Sequence, residues 1–150
     1  MRIAAAAMQI YGVVGDALKF LTTGDDTGGA YAVMESTLTP GGGPPPHIHR
    51  REEESFYVLE GEVTFWVGDT RTVAGPGTFL RAPVGVPHRF KNETDRLCRM
   101  VITLVPAGLD RMFREMGVPL QPGQEAPPPS QEEIERLVAR APEFGLEFLL

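Results

Sequence analysis

A single cysteine, Cys98, stands among the 150 residues. That scarcity excludes an intramolecular disulfide and any zinc site built on several thiolates, and it points to a reducing compartment, the cytoplasm. No apolar run approaches the roughly 18 residues that a spanning helix needs, so no membrane span is expected. The opening Met1–Met8 stretch resembles a signal peptide only in outline, because the weakly apolar run breaks at Gln9 without a processing site. Positive charge is also short: Lys and Arg total 14 against 20 Asp and Glu, a net −6. Such a chain repels phosphate backbones and anionic lipid surfaces, so neither nucleic acid nor membrane is an expected partner.

What is present fits one compact domain. At this length folding buries roughly two thirds of the surface of the unfolded chain, and 42% hydrophobic with 23% charged residues is an ordinary globular composition. From Ala30 to Val105 short runs rich in Val, Phe, Tyr, Thr and Leu are punctuated by Gly or Pro, the rhythm of an all-β sandwich or barrel. The spacing predicts strands at 30–38, 55–59, 62–67, 78–82, 88–92 and 97–105. The turns between them carry Gly61, Gly68, Gly75, Gly77 and Gly85, where a positive φ is needed.

After Val105 the period changes. Leu109, Met112, Phe113 and Met116 recur at helical spacing and predict a short amphipathic helix. A proline-rich stretch follows, then Ser130-Gln131-Glu132-Glu133, which resembles a capping box opening a helix through Arg140. The chain thus divides into 1–118, a barrel with its following helix, and 119–150, a segment whose apolar tail from Phe144 to Leu150 packs on the barrel or on a partner subunit.

Only three histidines occur, His47, His49 and His88. Residues i and i+2 of extended chain face the same way, so His47 and His49 can point together into a barrel. The prolines at 44–46 stiffen their approach. Glu54, opening the next strand, can add an oxygen from a neighbouring strand position. Three imidazoles and one carboxylate suit Mn, Fe, Co, Ni, Cu or Zn with positions left for water or substrate. Taken singly these residues read blandly: His88 as a structural or solvated histidine, His47 and His49 as loop surface, and Glu52-Glu53-Glu54 as a solvated charge run. The spacing overturns that.

The first block runs Gly41, five residues, His47, one, His49, four, Glu54, six, Gly61; the second runs Gly77, five, Pro83, one, Gly85, two, His88, three, Asn92. In both blocks the chain resembles the cupin superfamily, with motifs G-x5-H-x-H-x3,4-E-x6-G and G-x5-P-x-G-x2-H-x3-N. The run Gly42 to Gly61 more closely resembles single-domain cupins similar to quercetin dioxygenases. The resemblance implies a double-stranded β-helix, the jelly-roll barrel, with short C-terminal helices. It also implies one divalent ion per chain (Fe, Mn, Ni, Cu or Zn) held by His47, His49, Glu54 and His88. Small cupins resemble one another in forming homodimers, and open strand edges with an apolar tail agree with that here.

Parity supplies a pocket. Counting by twos from Glu54 turns Phe56 and Val58 inward, and from His88 turns Phe90 inward, with Met100 and Ile102 as additions to an apolar substrate-binding wall. Tyr57, Phe65, Trp66 and Phe79 read as core or subunit contacts, Cys98 as a small buried hydrophobe, and Arg50 and Arg51 as solvated partners of the Glu run. The expected function is a metal-dependent dioxygenase acting on a small organic molecule, with Glu54 as ligand or as the catalytic base. A non-catalytic binding or sensing protein is the alternative, and a sugar isomerase or epimerase a weaker one, since every histidine is already committed to metal.

Overall fold

The computed structural model describes residues 8–150, so the leader-like start lies outside the described residues. In chain order it has β1 Ile10–Val13, β2 Asp16–Thr22, α1 Gly24–Thr27, β3 Ala32–Leu38, β4 His47–His49, β5 Glu53–Glu60, β6 Val63–Val67, β7 Thr70–Ala74, β8 Phe79–Ala82, β9 His88–Lys91, β10 Cys98–Val105, α2 Leu109–Met116, β11 Val118–Pro119, α3 Gln131–Arg140, a 3-10 turn Ala141–Phe144, and β12 Leu146–Phe148. The strands form a seven-stranded sheet, β11-β1-β2-β3-β10-β5-β8, and a five-stranded sheet, β12-β4-β9-β6-β7. Pairing is antiparallel throughout. This is the two-sheet jelly-roll architecture that the motif resemblance implied.

Alternation along the strands builds the core. In β3 every second residue from Ala32 to Leu38 is buried, and β10 alternates likewise from Cys98 to Leu104. Phe56 of one sheet meets Phe65 and Phe90 of the other with ring centroids 5.0 and 5.4 Å apart. The offset rings join the sheets with apolar area and favourable ring geometry. Cys98 is fully buried, whereas Tyr57 and Phe79 are exposed side by side in register on the outer face, not in the core. Trp66 lies half-buried beneath the Arg89 guanidinium, 3.9 Å from its ring.

The β rhythm begins earlier than Ala30. β1 and β2 form a hairpin whose inward residues Asp16, Leu18 and Phe20 alternate cleanly. Of the turn glycines, Gly61, Gly68, Gly77 and Gly85 lie at positive φ, but Gly75 does not. The helices fall where the pattern put them, with the Ser130 hydroxyl accepting from the Glu133 N–H at 3.0 Å. The tail packs on its own barrel: β12 pairs with β4, Leu146 opposite His49 and Phe148 opposite His47.

Gly43 marks the tightest backbone approach near the site. It has φ +142, and a Cβ there would lie 2.1 Å from the Phe90 carbonyl oxygen. The adjoining backbone is tied to the end of β9 by Gly41 N–H to Asn92 O and Asn92 N–H to Gly42 O, at 2.8 and 2.9 Å. Gly43→Ala is expected to lose roughly 1–3 kcal/mol or more of stability through strain alone. Urea denaturation of the variant beside wild type measures it, and an unchanged midpoint would count against this close approach.

Candidate metal centre

His47 and His49 lie on β4 and His88 on β9, directly opposite His47 in the ladder. Glu54 does not come from a neighbouring strand as the spacing suggested. It projects from β5 of the facing sheet, so the four side chains close the gap between the sheets. All four are buried and their ligand atoms lie within 4.8 Å of one another. The imidazole rings crowd together, with centroids 4.4 to 5.0 Å apart.

Each histidine spends Nδ1 on a fixed outer partner. His47 Nδ1 lies 2.8 Å from the Pro45 carbonyl oxygen, His88 Nδ1 3.2 Å from that of Val86, and His49 Nδ1 2.9 Å from Glu52 Oε1. An Nδ1–H that donates outward turns Nε2 inward, where a metal would take its lone pair from the neutral ring; His88 Nε2 there lies 3.1 Å from Glu54 Oε2. The proline run therefore supplies a carbonyl as well as stiffness. Gly85 completes the frame, its N–H donating to His49 O at 2.9 Å.

Electrostatics separate His47 from His49. Burial first, then His88, pulls the His47 pKa down to about 4 against the pull of Glu54, so this ring is neutral at pH 7. Burial also disfavours charge on His49, but Glu54 and Glu52 outweigh it and raise the pKa to about 9. Burial would raise the Glu54 pKa, yet His49 and His88 hold it well below the usual carboxylate range. His49 Nε2 comes within 2.6 Å of Glu54 Oε2 without hydrogen-bond alignment and has no hydrogen-bond partner. A buried nitrogen aimed at a carboxylate oxygen, with two further imidazoles beside it, is the donor set a divalent first-row ion fits.

Glu52 was hidden by the acidic run. It is 2% exposed, against a solvated expectation. The run in fact alternates, Glu52 and Glu54 inward and Glu53 outward in an ion pair with Arg81. That period of two was the available signal. Arg50 pairs with Glu147 and Arg51 donates to the Glu143 carbonyl, so both fasten the C-terminal segment instead of the Glu run.

A cavity of about 100 Å³ opens beside the centre. His47, His49, Glu54 and Asp16 are its polar lining, and every other residue is apolar, Leu18, Met34, Leu137 and Phe148 among them. Phe90 and Ile102 reach the wall as parity suggested. Phe56, Val58 and Met100 do not: they are fully buried beneath it, their inward faces taken up by the packing between the sheets. Phe148, at 6.1 Å from the His47 ring centroid, was not foreseen on the wall.

Removing the Glu52 carboxylate frees the His49 ring, and Glu52→Ala should lower metal affinity about 10- to 100-fold while one ion per chain is still taken up. The double variant His47→Ala/His88→Ala should hold none. Elemental analysis and chelator competition check both. Asp16 gives a pH test. Burial raises its pKa from 3.8 to about 7, with Ser36 opposing and Glu54 assisting. Because the folded value lies above the unfolded one, the stabilisation from its protonated form is complete below pH 4 and is lost as pH rises toward 7. Asp16→Asn should therefore gain on wild type by roughly 2–4 kcal/mol between pH 4 and pH 8 in urea titrations. A constant difference would refute the shift.

Comparison with known proteins agrees with this geometry. A family model described as Cupin domain matches residues 34–105. The quercetin 2,3-dioxygenase of Bacillus subtilis (strain 168) is 30% identical over 110 residues, covering 73% of this chain and 32% of that protein. The chain thus spans about a third of that relative's length. Among solved structures, an RmlC-like cupin from Shewanella frigidimarina superposes with a TM-score of 0.64 at 20% identity, covering 74% of this chain and 96% of that one. An oxalate oxidase in complex with glycolate gives 0.53 at 26% identity, covering 62% and 52%. Motif, two-sheet barrel and four-donor centre agree with these matches: the chain belongs to the cupin superfamily.

Proposed function

We propose that this chain is a metal-dependent dioxygenase acting on a small organic molecule. The observation that carries the reading is the cluster of His47, His49, Glu54 and His88, of which the first three line a cavity that is apolar but for them and Asp16. The names of two relatives, a quercetin 2,3-dioxygenase and an oxalate oxidase, support it. A bound Fe, Mn, Ni or Cu ion supplies a Lewis-acidic, redox-capable centre when present.

The chain's own residues account for the rest. Pro45, Glu52 and Val86 hold the three imidazoles so that Nε2 faces inward. Glu54, kept ionised by His49 and His88, serves as a ligand or takes the proton of a substrate hydroxyl. The aliphatic and aromatic wall favours an apolar substrate body and gives water few partners. Phe56, Val58 and Met100 support that wall from behind, and Phe90 and Ile102 touch the ligand. The same reading takes the protein as a cytoplasmic homodimer that meets its copy through the exposed Tyr57 and Phe79. Among the described residues no helix is long and apolar enough to cross a membrane.

Oxygen uptake tests the function. Protein reconstituted separately with Fe(II), Mn(II), Ni(II), Cu(II) or Zn(II) is offered small phenols and enols in an oxygen electrode. Substrate-dependent uptake with a redox-active ion is expected, absent with zinc and in His47→Ala/His88→Ala. Glu54→Gln should retain no more than about one part in a hundred of it. Tight ligand binding without uptake under every ion would make the chain a binding or sensing cupin instead.

A further inference from the structure

The cavity holds one ionisable group that the metal reading leaves unused. Asp16 opens β2, opposite Val13 on one side and Leu38 on the other, and strand alternation turns it inward with Leu18 and Phe20. It is 8% exposed and lines the same cavity as His47, His49 and Glu54. Both its oxygens lie near one hydroxyl, Ser36 Oγ, at 2.7 and 2.8 Å. A hydroxyl carries one proton, so Ser36 satisfies one acceptor site and leaves hydrogen-bonding capacity on the carboxyl. The other groups that face it are the Thr37 backbone and the Glu54 carboxylate. Among the described residues no Arg, Lys or His pairs with it. A buried carboxyl without a cation costs stability, and a pair of apolar residues would fill the same space more cheaply.

Cavity size limits the ligand. An apolar cavity of roughly 150 Å³ holds benzene, so about 100 Å³ makes a single ring the upper limit. A three-ring flavonol such as quercetin exceeds it. A dianion such as oxalate would lie against apolar walls and two carboxyl groups, Asp16 and Glu54. What fits is an uncharged, mostly apolar molecule with polar groups only where the wall is polar. A hydroxyl both donates and accepts, so it matches the Asp16 carboxyl whether that group is protonated or ionised.

We propose that Asp16, held by Ser36, is the second anchor of the cavity: it binds a hydroxyl of a small single-ring phenol or enol whose other oxygen is directed to His47, His49, Glu54 and His88. The proposal rests on the reading of this cavity as the substrate site. It also makes the β1–β2 hairpin, which lies outside the matched residues 34–105, an element of specificity.

Calorimetry on the zinc-loaded protein under nitrogen tests it without turnover. The probes are phenol, with one oxygen, and resorcinol and hydroquinone, each with a second oxygen across the ring. The tighter of the two diols should bind wild type at least tenfold better than phenol. Asp16→Leu should erase that preference, and Asp16→Asn, which keeps a donor and an acceptor, should retain most of it. Carbon-13 NMR of labelled aspartate gives a readout in wild type alone: the Asp16 carboxyl signal should move with the diol and not with phenol. A diol preference that survives Asp16→Leu, a carboxyl signal that stays still, or equal binding of phenol and diols would each overturn the anchor while leaving the cavity as a ligand site. Failure of every probe to bind wild type would overturn both. Diol binding that depends on Asp16 but persists unchanged in His47→Ala/His88→Ala would keep the anchor and remove the metal-directed end.

Discussion

Glu54 reaches across from the seven-stranded sheet to three histidines of the five-stranded one, and much of the architecture serves that crossing. Four ionisable groups buried together are costly unless they neutralise one another or share an ion. Without an ion, the His49 and Glu54 charges compensate each other at the junction, and His47 stays neutral. The Pro45 carbonyl, Glu52 and the 83–87 loop then fix three ring orientations that a short strand such as β4 could not fix alone. Packing of Phe56, Phe65 and Phe90 just beneath keeps the sheets at the separation this geometry requires.

The four-donor cluster and most of the cavity lining come from different parts of the chain. All four residues of the cluster that could hold a metal ion fall within residues 34–105, the portion the family model matches. More than half of the cavity lining comes from outside it: Val13, Asp16 and Leu18 from the N-terminal hairpin, Met112 and Leu137 from the helices, and Phe148 from β12. A shared barrel can thus keep its ion site while the flanking segments set what reaches it.

Much of this was legible in the sequence. β3, β5, β6, β8, β9, β10 and both longer helices follow from period and caps, since these are local signals, and the four-donor cluster follows from the resemblance that two spaced motifs carry, whereas β7, β11 and β12 were not foreseen. What escaped was non-local. Nothing in His47-x-His49-x4-Glu54 says that β4 and β5 join different sheets, because pairing depends on contacts with β9 and β10 far along the chain. Parity named inward faces correctly but could not tell a wall from the layer behind it, which is how Phe56, Val58 and Met100 were set on a cavity they only support. Glu52 escapes notice because an acidic run is ordinarily solvated, whereas here its side chain is buried against His49. The β1–β2 hairpin was lost because its alternation is short and begins with a buried aspartate.

β4 also has a position in time. It is three residues long, and its ladder partners β9 and β12 lie roughly forty and a hundred residues further along the chain. The entropy of closing such loops is met late, after neighbouring strands such as β6 and β7 have paired through a tight turn. The strand that carries two of the three histidines therefore depends on long-range closure, as the central β3–β10 pair does, and not on a local hairpin.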